Sequence, residues 1–140
     1  FPMKDFFTYY HKGVVVEKNL KLVISGSGFQ YNQVAGMDTV YFFKDGSVTN
    51  CAQDFPVALV PRGSASYGSQ FSWKGKKEMP ESELLKLRKI LADAKICNKN
   101  IRFYAMPAKE KIWLKFLEEG VYWINIDKPK KYKVFSDSFK

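Results

Sequence analysis

The sequence predicts an α+β domain: one antiparallel sheet of about six or seven strands, with two helices packed on one face. Three observations carry this expectation. Short β-rich runs are separated by tight-turn signals, which makes neighbouring strands antiparallel. Two helical patterns lie between those runs, one over Glu81–Ile96 and one after Pro107. A chain of 140 residues with 46% hydrophobic and 16% aromatic content suffices for one packed core, and its composition is not that of a disordered chain.

Residues 1–11 (FPMKDFFTYYH) are aromatic-rich without a clear period and end at Gly13. They read as a short helix or an extended arm. Residues 14–24 alternate in part, with Leu20, Leu22 and Ile24 on one side, and read as strand. Residues 39–43 and 47–51 flank Lys44, Asp45 and Gly46. An Asp-Gly pair between β-rich runs is a hairpin signal, because both turn residues must accept positive φ. A further short strand is expected near Phe71.

Pro80 suits the first position of a helix, and Glu81 and Glu83 complement its positive end. Leu84, Leu87, Leu91 and Ala94 then recur at helical spacing. Residues 101–106 read as strand. Ile112, Trp113, Phe116 and Leu117 share a face of the second helix, which Gly120 ends. Residues 121–127 and 131–135 read as a closing hairpin around Lys128, Pro129 and Lys130, with Pro129 at the second turn position.

Residues 59–64 spell Leu-Val-Pro-Arg-Gly-Ser, the thrombin-cleavage sequence of many engineered linkers. Six specified residues at a given place arise by chance on the order of once in 10⁷ to 10⁸. The segment therefore reads as an engineered linker joining residues 1–58 to residues 65–140 within a single globular unit. Ser25, Gly26, Ser27 and Gly28 form a second candidate linker, with a natural Ser/Gly loop as the alternative. A linker in mid-chain implies a replaced loop, a fusion or a circular permutation.

The formal net charge is +9. Residues 1–58 hold five basic and five acidic side chains, whereas residues 65–140 hold 17 basic and 9 acidic ones. Such asymmetry indicates an anionic partner or a solvated lysine surface. The two cysteines, Cys51 and Cys97, permit one disulfide, which would stabilise the fold by about 3–4 kcal/mol in the chain-entropy model. Such a pair, and a start at Phe1 instead of Met, suit a secreted, periplasmic or cell-surface protein. No apolar run approaches the length of a membrane-spanning helix.

The sequence offers little catalytic chemistry. A single histidine, His11, and two cysteines make no metal cluster, and no phosphate-cradling glycine motif precedes a helix start. No cofactor or metal is expected. Asp45 reads as a turn residue. The expected role is that of a non-enzymatic exported domain for protein–protein interaction or assembly, its partner being another protein or a tethered segment. Phe1, Phe6, Phe7, Tyr9 and Tyr10 are the candidate partner-binding residues, because aromatic side chains dominate interface hot spots. The alternative is a small basic nucleic-acid-binding protein or ribonuclease. It would use Lys128, Lys130, Lys131, Lys133 and Tyr132 of the closing hairpin as an anion-binding group, with His11 for chemistry. Trp73, Lys74, Lys76 and Lys77 form a second basic-aromatic group.

Overall fold

The structure, a computed structural model, describes residues 3–26, 28–48 and 55–139. Among the described residues, eight strands form two sheets. A three-stranded antiparallel sheet has the order β2-β1-β4, from β1 (Tyr9–His11), β2 (Val14–Val16) and β4 (Thr39–Val40). A five-stranded parallel sheet has the order β3-β5-β6-β7-β8, from β3 (Val23–Ile24), β5 (Phe43–Ser47), β6 (Arg62–Ser66), β7 (Asn100–Tyr104) and β8 (Trp123–Ile124). The helices are α1 (Tyr67–Gln70), α2 (Glu81–Ile96), α3 (Glu110–Glu118) and α4 (Pro129–Asp137).

The expected single antiparallel sheet with two helices is thus corrected to two sheets, the larger one parallel, and four helices. Long crossovers are the physical reason. Helices α1 and α2 separate β6 from β7, and α3 separates β7 from β8, so each strand returns to the same edge before running in the same direction. The expected hairpin at Asp45 and Gly46 does not form either. Both residues lie inside β5, opposite Arg62 and Gly63 of β6. Glycine is needed at 46 for close approach and not for a turn: a β-carbon there would lie 2.6 Å from Val60 Cγ1.

Of the segment read as a linker, Arg62, Gly63 and Ser64 lie in β6, the central strand of the larger sheet, and Leu59 to Pro61 lead into it. Leu59 and Val60 are buried, and β6 pairs with β5 on one side and β7 on the other. At Gly63 a β-carbon would lie 2.5 Å from the carbonyl oxygen of Ser47. Arg-Gly-Ser is therefore a strand sequence here, with its glycine pressed against the adjoining strand. The second candidate linker follows β3. Its residues Gly26 and Gly28 have φ of +76° and +56°, which glycine accepts without steric cost.

One face of the parallel sheet carries the main core. Val48, Ile101 and Phe103 pack with Leu87, Ile90 and Ala94 of α2, and with Ile112, Trp113 and Phe116 of α3. A smaller core of Phe29, Val34, Val40, Phe43 and Leu59 includes residues of both sheets. The expected closing hairpin is replaced by β8 and α4. Pro129 occupies the first turn of α4, where its missing N–H leaves no bond unmade. Tyr132 and Phe135 then lie one turn apart, and their ring centroids sit 5.2 and 5.4 Å from that of Trp113. The helix thus closes the core over α3.

Candidate functional site

In the two central strands, β6 and β7, the sheet's other face is polar, because the strands alternate. In β6, Arg62, Ser64 and Ser66 alternate with Gly63 and Ala65; in β7, Asn100, Arg102 and Tyr104 alternate with Ile101 and Phe103. Register brings the polar sets together. Asp45 pairs with Arg62, and Ser64 with Arg102. In parallel sheets, ligand sites form at the carboxyl ends of the strands, where the following loops converge.

Asp45 is the centre of this face, with a side chain only 4% exposed. Arg62 donates to it through Nε and Nη2, at 3.2 and 3.1 Å. Ser64 Oγ donates to the same carboxylate at 2.7 Å. Arg102 approaches it less closely, with Nη1 3.7 Å from Oδ2. Its Nη2 donates instead to Asn125 Oδ1 at 2.7 Å, and Asn125 in turn donates to Asp127 at 3.1 Å. The Arg62 guanidinium stacks 5.4 Å from the Trp123 ring, and that of Arg102 lies 5.9 Å from Tyr104.

A cleft of about 400 Å³ opens here, lined by Ser25, Gly26, Asp45, Gly46, Ser64, Arg102 and Tyr104. The lining mixes hydroxyl groups, the Asp45 carboxylate, the Arg102 guanidinium and the backbone of a glycine turn. Two arginines share one buried carboxylate, so this group of three carries a net positive charge. Asp45 satisfies Arg62 with two hydrogen bonds, which leaves Arg102 as the less fully engaged cation. Such a site offers hydrogen-bond donors and positive charge to an anion.

The structure distributes the expected site residues elsewhere. Phe1 and Cys51 lie outside the described residues. Phe6 is exposed, Phe7 forms a bridge to Leu20, and Tyr9 and Tyr10 are half-buried in β1. Of the aromatic arm, Lys4–Phe6 form a 3-10 turn and Tyr9–His11 a strand of the small sheet. Lys128, Lys130, Lys131 and Lys133 are exposed at α4, while Tyr132 is turned onto Trp113. Cys97 is buried at the end of α2. His11 pairs through Nδ1 with Thr39 Oγ1 at 2.8 Å on the small sheet and does not line the cleft. Among the described residues, no group of three His, Cys, Asp or Glu side chains is placed to hold a metal ion, and no helix is long and apolar enough to cross a membrane.

Sequence reasoning missed Asp45, Arg62, Ser64 and Arg102 as a group. A signal was present: polar residues recur at every second position in both central strands, which marks a sheet face not committed to the core. The chain matches no family model, no curated protein and no solved structure.

Proposed function

We propose that this protein binds a small phosphorylated ligand in the cleft at the carboxyl ends of β3, β5, β6 and β7. The observation that carries the reading is the sharing of one buried carboxylate, Asp45, by two guanidinium groups. Asp45 and Ser64 position Arg62, and Arg102 supplies the charge that meets the ligand. Ser25 and Tyr104 offer hydroxyl donors around it, and the glycine turn at Gly26 brings backbone close to the cleft. A phosphoryl group takes up more donors than a carboxylate, so the donor-rich lining favours phosphate esters. Calorimetric titration with inorganic phosphate and simple phosphomonoesters tests the reading. Arg102→Gln should weaken binding by at least about tenfold, the order expected for loss of a charge-assisted hydrogen bond. An unchanged affinity in that variant would sink it.

A second reading keeps the expected role as an exported, non-enzymatic domain that docks on another protein. Its support is an exposed apolar group, in which Phe6 and Leu20 are joined by a backbone hydrogen bond of 2.9 Å and Met3 and Leu22 lie close in the chain. Surface apolar clusters of this kind mark partner sites. In this reading Cys51 and Cys97 form a disulfide suited to an oxidising compartment. Thiol titration of the denatured chain would detect no reactive thiol if the bond exists and two if it does not. A Phe6→Ser, Leu22→Ser variant should lose partner capture while retaining phosphate binding.

A further inference from the structure

The two lysine groups, far apart in the sequence, adjoin one another in the fold. The loop after Trp73 packs on the start of α3: a β-carbon at Gly75 would lie 3.1 Å from Ile112 Cγ1 and 3.4 Å from Lys109 Cδ. Lys111 Nζ lies 2.5 Å from Glu78 Oε1, which ties the far end of that loop to the same helix. From the other side, Lys131 donates to the carbonyl of Ala108 at 2.6 Å, just before α3 begins. The loop, the start of α3 and the start of α4 therefore form one continuous surface.

This surface is strongly basic. Lys74, Lys76 and Lys77 are exposed on the loop, Lys109 stands at the head of α3, and Lys128 and Lys130 are exposed at the head of α4. The acidic residues within or next to these segments are Glu78, already engaged by Lys111, Glu110, and Asp127, which accepts from Asn125. Farther along α4, Lys133 and Asp137 form their own pair at 2.6 Å. Apolar side chains adjoin the lysines. Val134 is 70% exposed and stands one helical turn from Lys130 and Lys131. Phe139 is 61% exposed, with its ring 4.9 Å from that of Phe135.

We propose that this face docks the protein on anionic lipid headgroups. Lysine ammonium groups meet the phosphates and carboxylates of the membrane surface, and Val134 and Phe139 enter the interface between headgroups and acyl chains. Nucleic acid fits less well. None of these segments carries an arginine, the side chain best suited to bidentate phosphate and base contacts. Apart from Phe139, the aromatic rings of this face are engaged in the core: Trp73 and Trp113 are buried, and Tyr132 packs on Trp113.

Vesicle sedimentation with the full chain tests the proposal. Vesicles of phosphatidylcholine with about 30% phosphatidylserine should bind the protein, whereas phosphatidylcholine alone should not. Binding should weaken as salt rises from about 50 to about 200 mM. A variant with Lys76→Glu, Lys77→Glu and Lys130→Glu, all exposed positions, should lose at least about fiftyfold in affinity while keeping its circular dichroism spectrum. Val134→Ser with Phe139→Ser should lose about tenfold. Equal binding to neutral vesicles, or full retention by the lysine variant, overturns the proposal. Unchanged affinity in the Val134, Phe139 variant would mean that the lysines hold any polyanion, and the lipid assignment fails. Tighter binding to a single-stranded oligonucleotide than to the charged vesicles at equal salt would also overturn it.

Discussion

Asp45 on β5 and Arg62 on β6 face each other in register and join through two hydrogen bonds, with both side chains largely withdrawn from water. Withdrawn charges are costly when one partner is lost, because the other is left without compensation. Asp45→Asn should therefore destabilise the protein by about 3–5 kcal/mol. Urea denaturation would measure it, and a change under about 1 kcal/mol would show that Arg62 finds water or another partner.

The two glycines of the central strands make a paired prediction. At Gly63 the obstacle to a methyl group is the backbone of Ser47, whereas at Gly46 it is the side chain of Val60. A side chain shifts more readily than a paired strand. Gly63→Ala should thus cost more than Gly46→Ala, with each on the order of 1–3 kcal/mol or above. Thermal melts of the two variants decide the order.

Much of the helical architecture was legible before the structure. Helix α2 fills the span that Pro80, the early glutamates and the leucine spacing define, and Gly120 follows α3 with φ of +98°. Strand direction was not legible, because it depends on how far the chain travels before pairing again. Asp45 and Gly46 carry the residue types of a hairpin turn, yet they serve as an ion-pair partner and a close-approach point. Pro129 fits a turn and the first turn of a helix equally well, and only the burial of Tyr132 and Phe135 against Trp113 separates the two. The candidate site was hidden for the same reason: its residues come from three strands whose adjacency is a property of the crossovers.

Cleavage by thrombin offers a third test. The bond between Arg62 and Gly63 lies in β6, paired on both sides, so the protease must wait for the sheet to open. The native protein should resist cutting between Arg62 and Gly63, and Asp45→Asn should speed the reaction by favouring the open form. Rapid cutting of the native chain, at the rate of an unstructured peptide, would contradict the placement of this strand. Size analysis of the products over time reads either outcome.

Glu119 sets a pH dependence. Hydrogen bonds from Arg88 outweigh the cost of burial, and with Lys115 they hold its carboxyl down to about 2 from an ordinary value of 4.5. A folded-state value below the unfolded one means that the ionised group stabilises the fold above pH 4.5, and that this contribution disappears as pH falls toward 2. Glu119→Gln should lower the melting temperature at pH 7 and reduce its fall between those limits. Parallel melting curves for both proteins would expose a Glu119 that does not take part.

The loop that carries Lys74, Lys76 and Lys77 is anchored from beneath. The buried Tyr67 hydroxyl donates to the Trp73 carbonyl at 2.8 Å, and Trp73 Nε1 donates to the Lys76 carbonyl at 3.0 Å. Glu83 accepts the backbone N–H groups of Ser72 and Trp73, at 2.9 and 3.1 Å. The charges on this loop thus project from a backbone already fixed by the core. Meeting a charged surface costs it little conformational freedom, so the basic face behaves as a preset stamp instead of a brush of mobile chains.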